Sequence, residues 1–279
     1  MHRDAHITHH DDTTGINYNG RYSLPQLKEM IAGSGTAIFD FCGTVTEPDS
    51  WLQALYAARL VRKEFYDTSN AHLARNIAEK MAGNAVKNRS AKEAAECLSY
   101  CGRVASLFIR QGLGMARKEV LRRFGEDVLK GIPPSTLEEA ARQVANYARD
   151  GSLEVISRLA DSGKEIVVVT LALRINAEAC LRELGINGKV YGNEAGRGAT
   201  ISSPQDKYKI TLEQITMSNE PVLVVGNNGD DAQMFKALDD SGRRGVKVAV
   251  NSTDKKLLKT ADVSADFKSL CRLVEYAQS

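Results

Sequence analysis

Five short apolar runs punctuate the chain, each of strand length. They are Thr36 to Gly43, Glu165 to Thr170, Gly188 to Gly192, Pro221 to Gly226 and Val246 to Asn251. The first is built on Ala, Ile and Phe and the second, fourth and fifth on Val, Ile or Leu, without the strict alternation of a half-buried strand, the pattern of parallel strands covered on both faces. Between them apolar positions recur at helical spacing. Leu153, Ile156 and Leu159 precede the second run, and Tyr208, Leu212 and Ile215 precede the fourth. This alternation predicts a doubly wound, Rossmann-like α/β core with a parallel sheet. A short helix is expected from Leu24 to Ala32, with Pro25 in its first turn, where a missing N–H is harmless.

Residues 48–149 carry no convincing strand pattern. Val120, Leu121, Phe124 and Val128 form one helical stripe, and Leu137, Ala141, Val144 and Ala148 another, with Ser135 and Glu138 spaced as a capping box. The chain thus divides into a disordered, His-rich leader (1–21), an α/β core (22–47 and 150–279) and an inserted all-α cap domain (48–149). No internal repeat is visible.

Composition narrows the function classes. With 43% apolar and 26% charged residues and a net charge of +2, the chain has an ordinary globular balance. Its lysines and arginines are scattered without interleaved aromatics, so neither nucleic acid nor an acidic membrane is expected as a partner. No apolar run approaches the ~20 residues that span a bilayer. The N-terminus lacks an apolar signal core, so the cytoplasm is the expected location. The five cysteines, Cys42, Cys97, Cys101, Cys180 and Cys271, are odd in number and dispersed, as free thiols are. Cys97 and Cys101 share a helix face and read as small buried side chains. His2, His6, His9 and His10 read as part of a solvated tail. A homodimer is the base-rate expectation for assembly.

In an open parallel sheet, ligands bind beyond the carboxyl ends of the strands. Asp40 to Thr44, Thr170, and Asn227 to Asp231 occupy those ends, and Lys207 or Lys209, near a helix start, can join them. An aspartate can attack phosphorus and carry the group covalently. Mg²⁺ on hard oxygens, a lysine and a hydroxyl would offset the charge. Plainer readings exist: Cys42 as filler, Thr170 as a β-branched strand residue, Lys207 as a solvated lysine, Asp230 or Asp231 as a helix cap. Asp40 resists one, because a buried carboxylate ending an apolar strand needs a cation.

These segments resemble the motifs of the haloacid dehalogenase superfamily. Phe39-Asp-Phe-Cys-Gly-Thr-Val-Thr46 is similar to its first motif, Ile166-Val-Val-Val-Thr170 to its second, Pro204-Gln-Asp-Lys-Tyr208 to its third, and Val224-Val-Gly-Asn-Asn-Gly-Asp-Asp-Ala-Gln-Met234 to its fourth. Their order and spacing match over 36–47 and 150–270, and the helical insertion resembles the cap of phosphoserine-phosphatase-like members. The resemblance implies a Mg²⁺-dependent phosphatase acting on a small phosphorylated metabolite. It makes Asp40 the nucleophile and a metal ligand, and the Cys42 carbonyl a second ligand. Thr170, with Thr44, would bind phosphate. Lys207 would steady nucleophile and phosphate, and Asp231 would support the metal.

Two positions depart from the pattern. Cys42 stands where the phosphatases carry a second, acid–base aspartate, and Asn227 where they carry a metal-binding one. A thiol has a pKa near 8.5 against ~3.9 for aspartate. The same scaffold therefore also admits a phosphotransferase, a C–P hydrolase or a phosphate-ligand-binding pseudo-enzyme.

Overall fold

The apolar runs lie side by side in one sheet of eight strands. The structure, a computed structural model, describes residues 9–47, 82–83, 85–95, 98–99, 102, 134–194, 201 and 203–279. In chain order the elements are β1 (His9–Asp11), β2 (Ile16–Tyr18), α1 (Leu24–Ala32), β3 (Thr36–Phe39) and α2 (Pro134–Gln143). After a 3₁₀ turn (Val144–Tyr147) come α3 (Ser152–Asp161), β4 (Glu165–Leu173), α4 (Arg174–Glu183), β5 (Lys189–Asn193) and α5 (Pro204–Met217). The chain ends with β6 (Val222–Gly226), α6 (Ala232–Ser241), β7 (Gly245–Val250), α7 (Lys255–Thr260), β8 (Val263–Ala265) and α8 (Phe267–Gln278). The described residues within 82–102 are helix and short turn. The stripe Val120 to Val128, Cys97, Cys101, His2 and His6 lie outside the described residues.

The sheet order is β1-β2-β8-β7-β6-β3-β4-β5. From β8 through β5 every pairing is parallel, and β1 and β2 add an antiparallel edge. After β3 the chain moves outward through β4 and β5, then returns to β3's other side with β6. The direction reverses beside β3, so the crevice opens at the carboxyl ends of β3, β4 and β6.

Both faces of the sheet are dry, which explains the unbroken apolar runs. Ala37, Phe39, Ile166, Val168, Leu223 and Val225 point into one core, with residues of α1, α2, α3, α4 and α8. Ile38, Val167, Val169, Val222 and Val224 point into the other, with residues of α5, α6 and α7. Among the described residues, no helix is long and apolar enough to cross a membrane.

Four expectations need correction. The leader is ordered from His9 on: β1 and β2 form a hairpin, and β2 pairs with β8 through Asn17–Ser264 and Tyr18–Val263. Among its described residues, the one fully buried apolar side chain is Ile16, at 0% exposure. A three-residue edge strand with one inward side chain has no period to detect. Second, the end of the expected cap belongs to the core by packing. Leu137, Ala140 and Val144 join the same cluster as Ala177, Cys180 and Leu181. Third, α2 begins at Pro134, so Ser135 lies inside the first turn and is not a cap. Fourth, α5 buries Lys207, Thr211, Gln214 and Ile215, while Tyr208 and Leu212 are only partly covered. That helix turns a polar face inward because the crevice lies there.

Candidate active site

Asp40 follows β3 directly. Its N–H donates to the Val225 carbonyl at 3.0 Å, so the ladder continues one residue and delivers the carboxylate at the strand end, 1% exposed. The loop after it is tight. Gly43 N–H donates to Thr46 O at 3.0 Å, and the N–H groups of Thr44 and Thr46 donate to Phe41 O at 3.2 and 3.1 Å. Gly43 makes this turn possible, since its φ of +88° is strained for any residue with a Cβ.

Lys207 stands in the first turns of α5, which starts at Pro204 behind Ser203, whose hydroxyl oxygen accepts the Asp206 N–H. Its Nζ donates to Asp40 Oδ1 and to Asp231 Oδ1, each at 2.7 Å. Lys207 is buried and Lys209 is exposed, so the structure selects Lys207 as the site lysine. Asp231 occupies the N-cap position of α6 without capping it. Its Oδ2 instead accepts the Asn227 and Asn228 N–H groups at 2.9 and 3.1 Å, curling the loop back on itself. Gly226 must lack a side chain here, because a Cβ would come within 2.5 Å of the Asp231 Cβ.

Two carboxylates therefore share one ammonium, leaving one negative charge when all three ionise. Burial foremost, then the Asp231 charge, push the Asp40 carboxyl up to about 6 against the pull of Lys207 and Thr44. Burial pulls the Lys207 ammonium down, but Asp231 and Asp40 outweigh it and the net direction is upward. The electrostatic deficit is one of positive charge.

The remaining expected residues fall into place unevenly. Thr44 was expected on substrate phosphate. Its hydroxyl instead donates to Asp40 Oδ2 at 2.7 Å, so both Asp40 oxygens are held. Thr170 is fully buried, but β4 runs three residues past the expected strand end to Leu173, and the Thr170 hydroxyl oxygen accepts the Ala172 N–H at 3.1 Å within that strand. Cys42 is half-buried and outside any disulfide. The Asn227 amide nitrogen lies 3.3 Å from Asn251 O and 3.4 Å from Val250 O. This turns its Oδ1 toward Gly43, 3.6 Å from where a Cβ there would sit. Asp230 is half-buried, with its N–H on Asn228 Oδ1 at 2.9 Å.

Asp40, Asp231 and the Asn227 amide offer hard oxygens beside a cluster one positive charge short, which suits Mg²⁺. By contrast, the grouping of Glu154, Cys271 and Glu275 already holds a cation. Arg158 lies 2.8 Å from Glu154 and 2.7 Å from Glu275. Arg149 escaped the sequence reading. Its Nε donates to the Gly43 carbonyl at 3.0 Å across 106 residues of chain, and no local motif signals that contact.

Comparison with known proteins bears on the family and the fold. The family model of the haloacid dehalogenase-like hydrolases matches residues 35–239. A probable phosphoserine phosphatase from Vibrio cholerae is 15% identical over 90% of this chain and 67% of its own, with a TM-score of 0.58. Cytosolic 5′-nucleotidase IIIB bound to cytidine is 17% identical over 91% and 90%, with a TM-score of 0.56. A substrate-bound phosphoserine phosphatase complex is 17% identical over 87% and 98%, with a TM-score of 0.53. At these identities the likeness is one of fold. No curated protein matches in sequence. The family match spans the sheet's switch point and every expected site residue, and on that ground the chain belongs to the haloacid dehalogenase-like hydrolases.

Proposed function

We propose that this protein is a Mg²⁺-dependent phosphatase that hydrolyses a small-molecule phosphomonoester through a phospho-aspartate at Asp40. The observation that carries the reading is the buried Asp40–Lys207–Asp231 cluster, with its shortage of positive charge. A nucleophilic carboxylate is useful only if held in one rotamer and kept ionised. Thr44 and Lys207 do the first, and a bound cation helps Lys207 do the second. Mg²⁺, held by Asp40, the Cys42 carbonyl, the Asn227 amide oxygen and Asp231, would neutralise charge on the phosphate and the nucleophile. The names of the structural neighbours, phosphatase and nucleotidase, are in keeping with this substrate class.

An Asp40 oxygen attacks phosphorus in line, the P–O ester bond breaks, and the leaving alcohol takes a proton. Water then hydrolyses the acyl phosphate, releasing inorganic phosphate and restoring Asp40. Lys207 stays charged throughout and balances Asp40 before attack and the phosphoryl oxygens after it. Both proton transfers fall to the position of Cys42. A poorly matched acid–base group there costs roughly 10²–10⁴ in rate, so turnover is slow. A cap formed by the insertion between β3 and α2 would exclude water and select the leaving group.

The test is phosphate release from p-nitrophenyl phosphate and a panel of metabolite monophosphates, with Mg²⁺ or EDTA. Wild type should turn over only with Mg²⁺, Asp40→Asn should be inactive, and Cys42→Asp should be faster. Activity confined to Cys42→Asp would move the reading to phosphoryl transfer or ligand binding. Silence in both would overturn it.

A further inference from the structure

Arg149 lies between the 3₁₀ turn and α3, 106 residues beyond Gly43, yet it is bonded to the loop that carries Asp40. The approach is a short paired ribbon. Glu47 N–H donates to Tyr147 O at 2.9 Å, Arg149 N–H donates to Val45 O at 2.9 Å, and Thr46 bridges Ala148 in antiparallel sense. Ser152 Oγ adds a bond to Val45 O at 2.8 Å. These contacts bring the Arg149 side chain, only 19% exposed, over Gly43, where Nε donates to the carbonyl at 3.0 Å. The outer end of the guanidinium faces Glu47 at 3.6 Å.

That one carbonyl has leverage. Gly43 O and Thr44 N belong to one peptide plane, so fixing the oxygen fixes the Thr44 N–H, which donates to Phe41 O at 3.2 Å. Thr44 is then held where its hydroxyl reaches Asp40 Oδ2 at 2.7 Å. The other peptide of Gly43 is tied through its N–H to Thr46 O. Gly43 is the loop's left-handed residue and its most permissive point, so without Arg149 its carbonyl-side peptide keeps the 3.2 Å bond from Thr44 N–H to Phe41 O but loses its second tether.

We infer that Arg149 is a positioning residue that locks the Gly43–Thr44 peptide, and thereby sets the rotamer of Asp40 from the link between the 3₁₀ turn and α3. This rests on the reading of Asp40 as the nucleophile. The donor's place matters and its charge does not. In Arg149→Gln the side-chain amide nitrogen stands the same number of bonds from Cα as the arginine Nε, so this neutral variant tests the claim.

The full-length variants Arg149→Ala, Arg149→Gln and Arg149→Lys would be assayed with p-nitrophenyl phosphate at saturating Mg²⁺, and amide hydrogen exchange followed at Gly43, Thr44 and Thr46. Arg149→Ala should lose roughly ten- to a hundred-fold in kcat, as a small misplacement of a reacting group does, with KM unchanged within about twofold. Exchange at the three loop amides should quicken at least about tenfold while β3 stays protected. Arg149→Gln should restore both readouts. A KM increase rescued by Lys and not by Gln would make Arg149 a direct substrate contact and overturn the inference. Unchanged loop exchange in Arg149→Ala would also overturn it. If wild type shows no turnover while the exchange pattern holds, the phosphatase reading fails and the positioning of the loop stands.

Discussion

Two clusters of lysine and aspartate are buried against the same sheet, and they differ in charge balance. At the crevice, Lys207 alone serves Asp40 and Asp231, and all three are at most 2% exposed. Along β7, Lys247 donates to Asp239 Oδ1 and Oδ2 at 2.8 and 3.0 Å, while its backbone N–H donates to Asp262 Oδ2 at 2.9 Å. There Arg21 brings a second cation, 3.4 Å from Asp239 and 3.7 Å from Asp262, and Asp239 is 44% exposed to water. Two cations meet two anions, and the result ties the N-terminal segment and α6 to β7. The crevice cluster has no second cation of its own among the described residues. A fold tolerates a buried imbalance of that kind where a ligand restores it, and the contrast marks the site more clearly than burial does.

The largest effect should come from removing each lysine in turn. Lys207→Met leaves two buried carboxylates facing each other and should cost about 3–5 kcal/mol in urea unfolding. Lys247→Met leaves Asp239 in water and Arg21 beside Asp262, and should cost about 1–2 kcal/mol. Equal losses would break the comparison.

Next in size is the pH dependence of the metal-free protein. The Asp40 carboxyl is raised from 3.8 to about 6 by burial and then by Asp231. The folded state therefore holds a proton that the unfolded chain has released, and stability falls as pH rises between about 4 and 6. The linked free energy is on the order of 2–3 kcal/mol. In EDTA at pH 8, Asp40→Asn should unfold at higher urea than wild type, with the gap closing at pH 4. A variant less stable than wild type at pH 8 would remove the argument from electrostatic strain.

Mg²⁺ should repair only the crevice. At a hundredfold excess over its dissociation constant it should stabilise wild type by about 2.7 kcal/mol. That gain should vanish in Asp40→Asn and persist in Lys247→Met. The smallest effect belongs to Asp262, which burial first of all raises above the ordinary carboxylate range. Its Oδ1 has no hydrogen-bond donor among the described residues. Asp262→Asn should shift stability by less than about 1 kcal/mol and leave the Mg²⁺ response intact. A large loss there would mean that the β7 network holds strain of its own.

Legibility in the sequence followed the kind of signal each part leaves. The strands β3, β4, β6 and β7 were readable because a parallel strand buried on both faces needs an unbroken apolar run. Asp40 was readable because a carboxylate at the end of such a run contradicts its surroundings. The β1–β2 hairpin was not, since Ile16 is its one fully buried apolar side chain and its stability comes from pairing with β8. The α5 stripe was misjudged for the opposite reason: its buried face carries Lys207, Thr211 and Gln214, which look solvent-facing until the crevice is present. Arg149 and Thr44 act through contacts with a backbone carbonyl and a neighbouring carboxylate, and neither type of contact leaves a compositional trace.

The amino-acid sequence by itself determined the layered α/β class, the strands that meet at the crevice and the residue types gathered there, because these follow from local apolar patterning and from charges placed where apolar runs end. Tertiary structure alone decided that Lys207 and not Lys209 reaches the site, that Asp231 turns back to its own loop instead of capping α6, and that Thr44 grips Asp40. Each of those depends on directions in space between segments distant in the chain or curled upon themselves. Hydrogen bonds and desolvation, which act over a few ångströms, are settled only when the sheet has brought those segments together.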